Sequence, residues 1–167
     1  LAVGAPNAFN NAQNSPPNVG YVKIYQLSGS QFNYTWNQIG QTIYGKYANE
    51  FFGHSVSIDY AGTTIVIGTD MDTGSSPPGR ARIYKYDGSS WGQVGSDLIG
   101  DSNQDTFGKV VKINGQGDKV VIGAPGLEGY VKVFSIDNIS NKKHLVTKGN
   151  DGDFTTIQAA INAAIDG

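Results

Sequence analysis

Short runs in which apolar and polar residues alternate, separated by glycine-containing turns, fill most of the first 136 positions. Over residues 80–86, Ala81 and Ile83 fall on one face and Arg82 and Tyr84 on the other, and Val22, Ile24 and Val131, Val133 keep the same rhythm. A period of two is that of a β-strand. Residues 52–58 place Phe52, His54, Val56 and Ile58 on one face of a further strand. Residues 64–67 and 119–122 are apolar without alternation, as expected of strands covered on both faces. The short aromatic run 36–40, closed by Gly40, reads as an outer or edge strand that opens the unit. Turn-forming pieces at 28–29, 59–62, 87–88 and 114–117 link the strands.

The strands recur in order. An interval of 55 residues separates Trp36 from Trp91, Phe52 from Phe107 and Gly68 from Gly123, and residues 1–6 with 20–25 form a third, partial copy behind a longer loop. The expected fold class is all-β: β-propeller blades, each a four-stranded antiparallel repeat of about 55 residues, with one short C-terminal amphipathic helix. A two-sheet sandwich is the main competitor, but it does not require the same phrase three times. Repeats of this kind build scaffolds and binding surfaces more often than catalytic centres.

The phrase stops after Phe134. The expected domains are 1–136, two to three blades incomplete at the N-terminus; 137–145, a polar linker; and 146–167, the start of another domain. In the last, Ile157, Ala160, Ile161, Ala164 and Ile165 fall at helical spacing, Thr155 and Gln158 form a capping box, and Gly167 is placed to end the helix.

Composition narrows the chemistry. A net charge of −2 with 12 Lys plus Arg offers no positive field for a nucleic-acid partner. The absence of cysteine removes disulfides and thiolate sites, and two histidines, His54 and His144, are too few for a histidine-rich metal centre. No apolar run reaches the ~20 residues of a membrane-spanning helix. Leu1 stands inside a repeat phrase, so the natural start is expected upstream.

Phe107-Gly108 followed by an apolar strand, a short turn and Gly123-Ala-Pro125 resembles the FG-GAP repeat of integrin α subunits and of large surface proteins. Phe52-Gly53 with Gly68-Thr-Asp70 matches in part, and residues 1–6 preserve the second half. The resemblance implies propeller blades. Calcium-binding members carry several Asp and Asn in the turn before the Gly-Ala-Pro strand; 59–64 and 114–119 depart from that pattern, and no metal is expected there. Residues 152–161 resemble the entry segment of right-handed parallel β-helix proteins, including pectin methylesterases and pectate-lyase-like proteins. The catalytic residues of those enzymes lie on later coils, so no activity carries over.

Individual candidates each have a plain structural reading. Asp70 and Asp72 offer two carboxylates in one loop, a candidate calcium pair, but read more simply as an Asp-rich turn. Asp97, Asp101 and Asp105 read as solvated acids. Lys23, Arg82 and Lys132 share one position of the repeat beside Tyr25, Tyr84 and Phe134; they read as cations on an outward strand edge rather than as a glycan-binding stripe. Trp36 and Trp91 read as blade packing, and His54, in register with Lys109, supports no base or ligand role.

No catalytic, cofactor-binding or metal residue is assigned, and no cofactor is expected. The expected function is a non-catalytic structural or adhesive module of an extracellular or particle-surface protein. Its partners would be neighbouring subunits or remaining blades, and glycans. One alternative is the targeting module of a polysaccharide lyase or esterase whose β-helix follows residue 167; another is a subunit of a virion fibre or extracellular filament.

Overall fold

The computed structural model describes residues 1–8, 18–70, 78–126 and 129–139. Eleven strands among them form three antiparallel sheets, none closed on itself. The first sheet contains β1 (Ala2–Ala5), β2 (Tyr21–Ser30), β3 (Asn33–Gln38) and the short β4 (Ile43–Tyr44). The second runs in chain order through β5 (Ser55–Ile58), β6 (Thr64–Gly68), β7 (Arg80–Tyr86) and β8 (Trp91–Ile99). The third contains β9 (Val110–Ile113), β10 (Lys119–Ala124) and β11 (Tyr130–Ser135), followed by one turn of helix, α1 (Ile136–Ile139). The all-β antiparallel class matches the strand periodicity. The expected C-terminal helix over 155–167 and the linker residues 140–145 lie outside the described residues.

The phase of the repeat differs from the expectation. Trp91 pairs with Tyr86 and Trp36 with Leu27, so each tryptophan strand is the outermost strand of the preceding sheet and does not open the next. A hairpin is the shorter connection: the strand emerging from a tight turn pairs with the strand that entered it.

Residues 52–54 also depart from the expected strand. Phe52 is buried, His54 is exposed, and the strand begins only at Ser55. Phe51 and Gly53 both take positive φ, and Thr106 and Gly108 repeat this one interval later. Phe-Gly is therefore a turn that drops the ring into the core ahead of the strand.

Two apolar clusters lie between the sheets. Val22, Ile24, Ile43, Phe52, Ile65, Ile67, Tyr84 and Trp91 fill the space between the first and second. Val66, Ala81, Ile83, Leu98, Phe107, Val111, Ile113, Val120, Ile122 and Phe134 fill that between the second and third, joined by Ile136 and Ile139 of α1. β6 is buried at every position because it contributes alternate residues to both clusters, as its unbroken apolar sequence requires.

The sheets are also joined by polar contacts. The hydroxyls of Ser55 and Ser57 on β5 accept hydrogen bonds from the backbone N–H groups of Val111 and Ile113 on β9, at 3.0 and 3.2 Å. Between the first two sheets, the indole N–H of Trp91 donates to the carbonyl of Ile39 at 3.0 Å. The Gln41 amide brackets the Trp91 backbone, accepting from its N–H and donating to its carbonyl.

Candidate functional site

The β2–β3 hairpin projects beyond the sheet stack, and every residue from Gln26 to Gln38 is exposed. Eleven positions separate Tyr25 from Trp36 here, against seven between the equivalent Tyr84 and Trp91, so this arm is longer than the repeat demands. Pairing puts Trp36 opposite Leu27 and Tyr34 opposite Gly29 on one face, and Thr35 opposite Ser28 on the other. The second face is a polar ladder in which the Asn37 amide donates to the Ser28 and Thr35 hydroxyls. The first carries rings: Trp36 is 54% exposed and Tyr34 61%. At the tip, Gln31 and Phe32 take positive φ, and the Phe32 ring is fully in solvent. Such a backbone is unusual for an aromatic residue and costs free energy that no core contact of Phe32 recovers.

At its base the arm opens into a groove of about 330 Å³ between the first sheet and the β5–β6 turn. Tyr25, Trp36, Tyr60 and Tyr86 are among the residues that line it, with Gln26 and Thr63. Tyr60 is 95% exposed, with its ring beside Gly115 of the β9–β10 turn, and the Tyr86 ring packs on Trp91. No charged side chain lines the groove, and from Ile24 to Gly45 the chain carries none at all. A protein surface normally interleaves charges of both signs, so this run is a sequence signal that strand periodicity alone passes over.

The charged candidates sit elsewhere, and their roles need correction. Arg82 is fully buried, because β7 is flanked by β6 and β8 and the face carrying Arg82 is covered by the first sheet; it is not on an outward edge. Its guanidinium donates to Glu50, also fully buried, and to Asp97 at 2.9 Å, and lies over the Phe52 ring. Arg80 joins through Asp97 at 3.2 Å and stacks on Tyr47, and Lys46 reaches Asp97 at 3.3 Å from the rim. Lys132 is likewise buried and ion-paired to Asp101, whereas Lys23 is half-exposed over the Tyr21 ring.

Two of the three acids read as solvated are not. For Asp97, burial alone would raise the pKa, but the hydrogen bonds from Arg82 and Gln93 and the charges of Arg82 and Lys46 outweigh it, holding the carboxyl well below the ordinary range. Asp105 is buried and accepts from the Tyr130 hydroxyl at 2.8 Å and from the backbone N–H of Ser102. Burial is the main cause pushing the Tyr130 phenol up, with Asp105 adding to it. Only Asp101 is largely exposed.

Asp70 pairs with His54 and Lys109, each at 3.5 Å, while Asp72 and His144 lie outside the described residues. His54 and Lys109 thus converge from successive sheets on one carboxylate. Asp59 and Asn114 each turn a side-chain oxygen on two backbone N–H groups of their own turn, those of Thr63 and Thr64 and of Asp118 and Lys119. Among the described residues no three His, Asp or Glu side chains group as metal ligands, and no helix is long and apolar enough to cross a membrane. Trp91 packs in the core as expected, but Trp36 does not, since no described sheet lies against it as Ile39 to Gln41 lie against Trp91.

Comparison with protein-family models finds no match, and comparison with curated proteins finds none either.

Proposed function

We propose that this chain is a non-catalytic contact module of an extracellular or particle-surface protein, built from FG-GAP-like propeller blades and acting in adhesion or assembly. The observation that carries the reading is the division of labour among its side chains. The buried charges are spent on one another within and between sheets, while Phe32, Tyr34 and Trp36 of the arm hold their rings largely in solvent. Uncommitted rings of this size mark a recognition surface more often than an inert one.

Antibody labelling of intact, non-permeabilised native cells or particles tests the location. Labelling on the outer surface is expected, and labelling only after permeabilisation overturns the reading. The likeness of residues 152–161 to a β-helix entry segment motivates the alternative of an enzyme's targeting module. Cleavage or de-esterification of a pectin by the native polypeptide would decide for it.

A further inference from the structure

We propose that the arm and groove form a binding site for a neutral oligosaccharide, with Trp36 and Tyr34, on one face of the arm, as its stacking platforms. The inference rests on the contact-module reading and names the ligand class for that surface.

Three observations on the surface select this chemistry. First, the residues of the arm and groove are aromatic, amide and hydroxyl in character, among them Tyr34, Trp36, Tyr25, Gln26 and Thr63. A pyranose has the matching duality: an apolar C–H face that packs on a ring, and a rim of hydroxyls that both donate and accept. Second, charged side chains are missing from the groove and from Ile24 to Gly45, and the α-ammonium of Leu1, which also lines it, is engaged by the Tyr25 carbonyl at 2.9 Å, so a uronate, a sulfated glycan or a phosphate would find no cationic side chain in the lining to offset its desolvation. Third, the rings do not stop at the groove. Tyr34 lies two positions from Trp36 on the same strand face, about 7 Å further along the strand, and Phe32 follows at the tip. A line of rings suits an extended ligand of several sugar units better than a compact one.

The rival occupant is another protein sheet. Trp91, the repeat partner of Trp36, is covered by the first sheet, and a preceding sheet placed in the same way would cover Trp36. Such a sheet would follow the common length of the repeat; the extra residues of the arm, with Tyr34 and Phe32, extend past it. The saccharide uses the whole surface, and the sheet only its base.

The test uses the full chain and, separately, the native particle. Neutral hexasaccharides of glucose, N-acetylglucosamine, mannose and xylose are titrated while tryptophan fluorescence and heat are followed, with hexagalacturonate as the anionic comparison. Because Trp91 is buried, a fluorescence response reports mainly on Trp36. At least one neutral glycan is expected to bind with a dissociation constant below about 1 mM and to be insensitive to added salt. Trp36→Ala is expected to weaken binding at least tenfold, with unchanged circular dichroism. Tyr34→Ser provides a second variant, expected to weaken hexasaccharides more than disaccharides. Absence of binding by all four neutral glycans, or binding that Trp36→Ala leaves unchanged, overturns the proposal.

Acrylamide quenching of the native particle separates the two readings. If Trp36 is shielded there by protein, the saccharide site falls while the contact-module reading stands. If Trp36 is open, no neutral glycan binds and Trp36→Ala alters neither adhesion nor assembly, both fall.

Discussion

Gly68 faces the carbonyl oxygen of Gly108 so closely that a methyl group at Gly68 would overlap it, and Gly4 stands in the same relation to Gly53. The glycine that ends one apolar strand is thus the seat for the Phe-Gly turn of the next sheet. Both glycines of the repeated phrase are needed: Gly53 and Gly108 for their positive φ, Gly4 and Gly68 for the close approach. The third copy offers an internal control. A methyl group at Gly123 would meet only Val110, at 3.6 Å, in ordinary contact. Gly68→Ala should therefore cost about 3 kcal/mol through forced separation of the sheets, and Gly123→Ala less than about 0.5 kcal/mol. Urea midpoints of the two variants check this; equal losses would mean that the close approach does not hold the sheets together.

Arg82 and Lys46 both bind Asp97, yet their environments predict different energetics. Arg82→Met takes the hydrogen-bonded guanidinium from the buried Glu50, leaving it only the more distant Arg80 at 3.7 Å, and should cost about 3 kcal/mol. Lys46 is half-exposed at the rim, where solvent screens its pair with Asp97, so Lys46→Met should change stability by no more than about 1 kcal/mol. Denaturant unfolding of both variants decides. A small loss for Arg82→Met would show that apolar packing replaces the ion pair without penalty.

The depressed carboxyl of Asp97 predicts the sign of a pH effect. In acid the unfolded chain takes up a proton at about pH 4, the ordinary value for aspartate, whereas the folded state resists doing so until lower pH. Folded molecules bind fewer protons in that window, so stability is full above about pH 4 and is lost as pH falls toward the folded pKa. Asp97→Asn should flatten this part of the stability profile and cost about 2 kcal/mol at neutral pH from the weakened charge-assisted hydrogen bonds from Arg82 and Arg80. An acid profile identical to the parent's would assign the titration to another carboxylate.

Tyr84 predicts the opposite limb. Burial is the main cause raising its phenol to about 12, with Asp97 and Glu50 adding to the shift and Arg82 opposing it. Its contribution is complete below about pH 10, where the phenol is protonated in both states, and is lost as pH rises through the folded value near 12. Tyr84→Phe should keep neutral stability within about 1 kcal/mol and reduce the alkaline loss, measured by unfolding at stepped pH.

The strands were legible in the sequence because alternation is a local property: Ala81 and Ile83 fall on one face whatever lies outside. Whether a face is covered is not local. Arg82 alternates as an exposed cation would, and only the docking of the first sheet, with Glu50 thirty-two positions earlier, makes it a buried one. The same limit explains Asp97 and Asp105, whose partners come from other strands, and the Phe-Gly turn, whose positive φ at Phe51 leaves no periodic trace. For the candidate site the useful signal was the charge-free stretch from Ile24 to Gly45. It could be read without coordinates, but its meaning required the arm to be seen in solvent.

Trp36 and Trp91 make the limit measurable. They occupy one position of the repeat, in nearly the same words, Trp-Asn-Gln-Ile-Gly and Trp-Gly-Gln-Val-Gly, and local sequence assigns them one role. The structure assigns two. Trp91 is 3% exposed, packs on Tyr86 at a ring-centroid distance of 5.1 Å and donates its indole N–H to Ile39, so Trp91→Ala opens a core cavity and orphans a carbonyl. A loss of about 3 to 5 kcal/mol is expected. Trp36 is 54% exposed and pairs only across an edge hairpin with Leu27, so Trp36→Ala should shift stability by about 0.5 kcal/mol or less. Thermal and urea unfolding of both variants give the comparison directly. If the Trp36 variant loses as much as the Trp91 variant, the ring is a packing residue, and the free recognition surface on which the function rests does not exist.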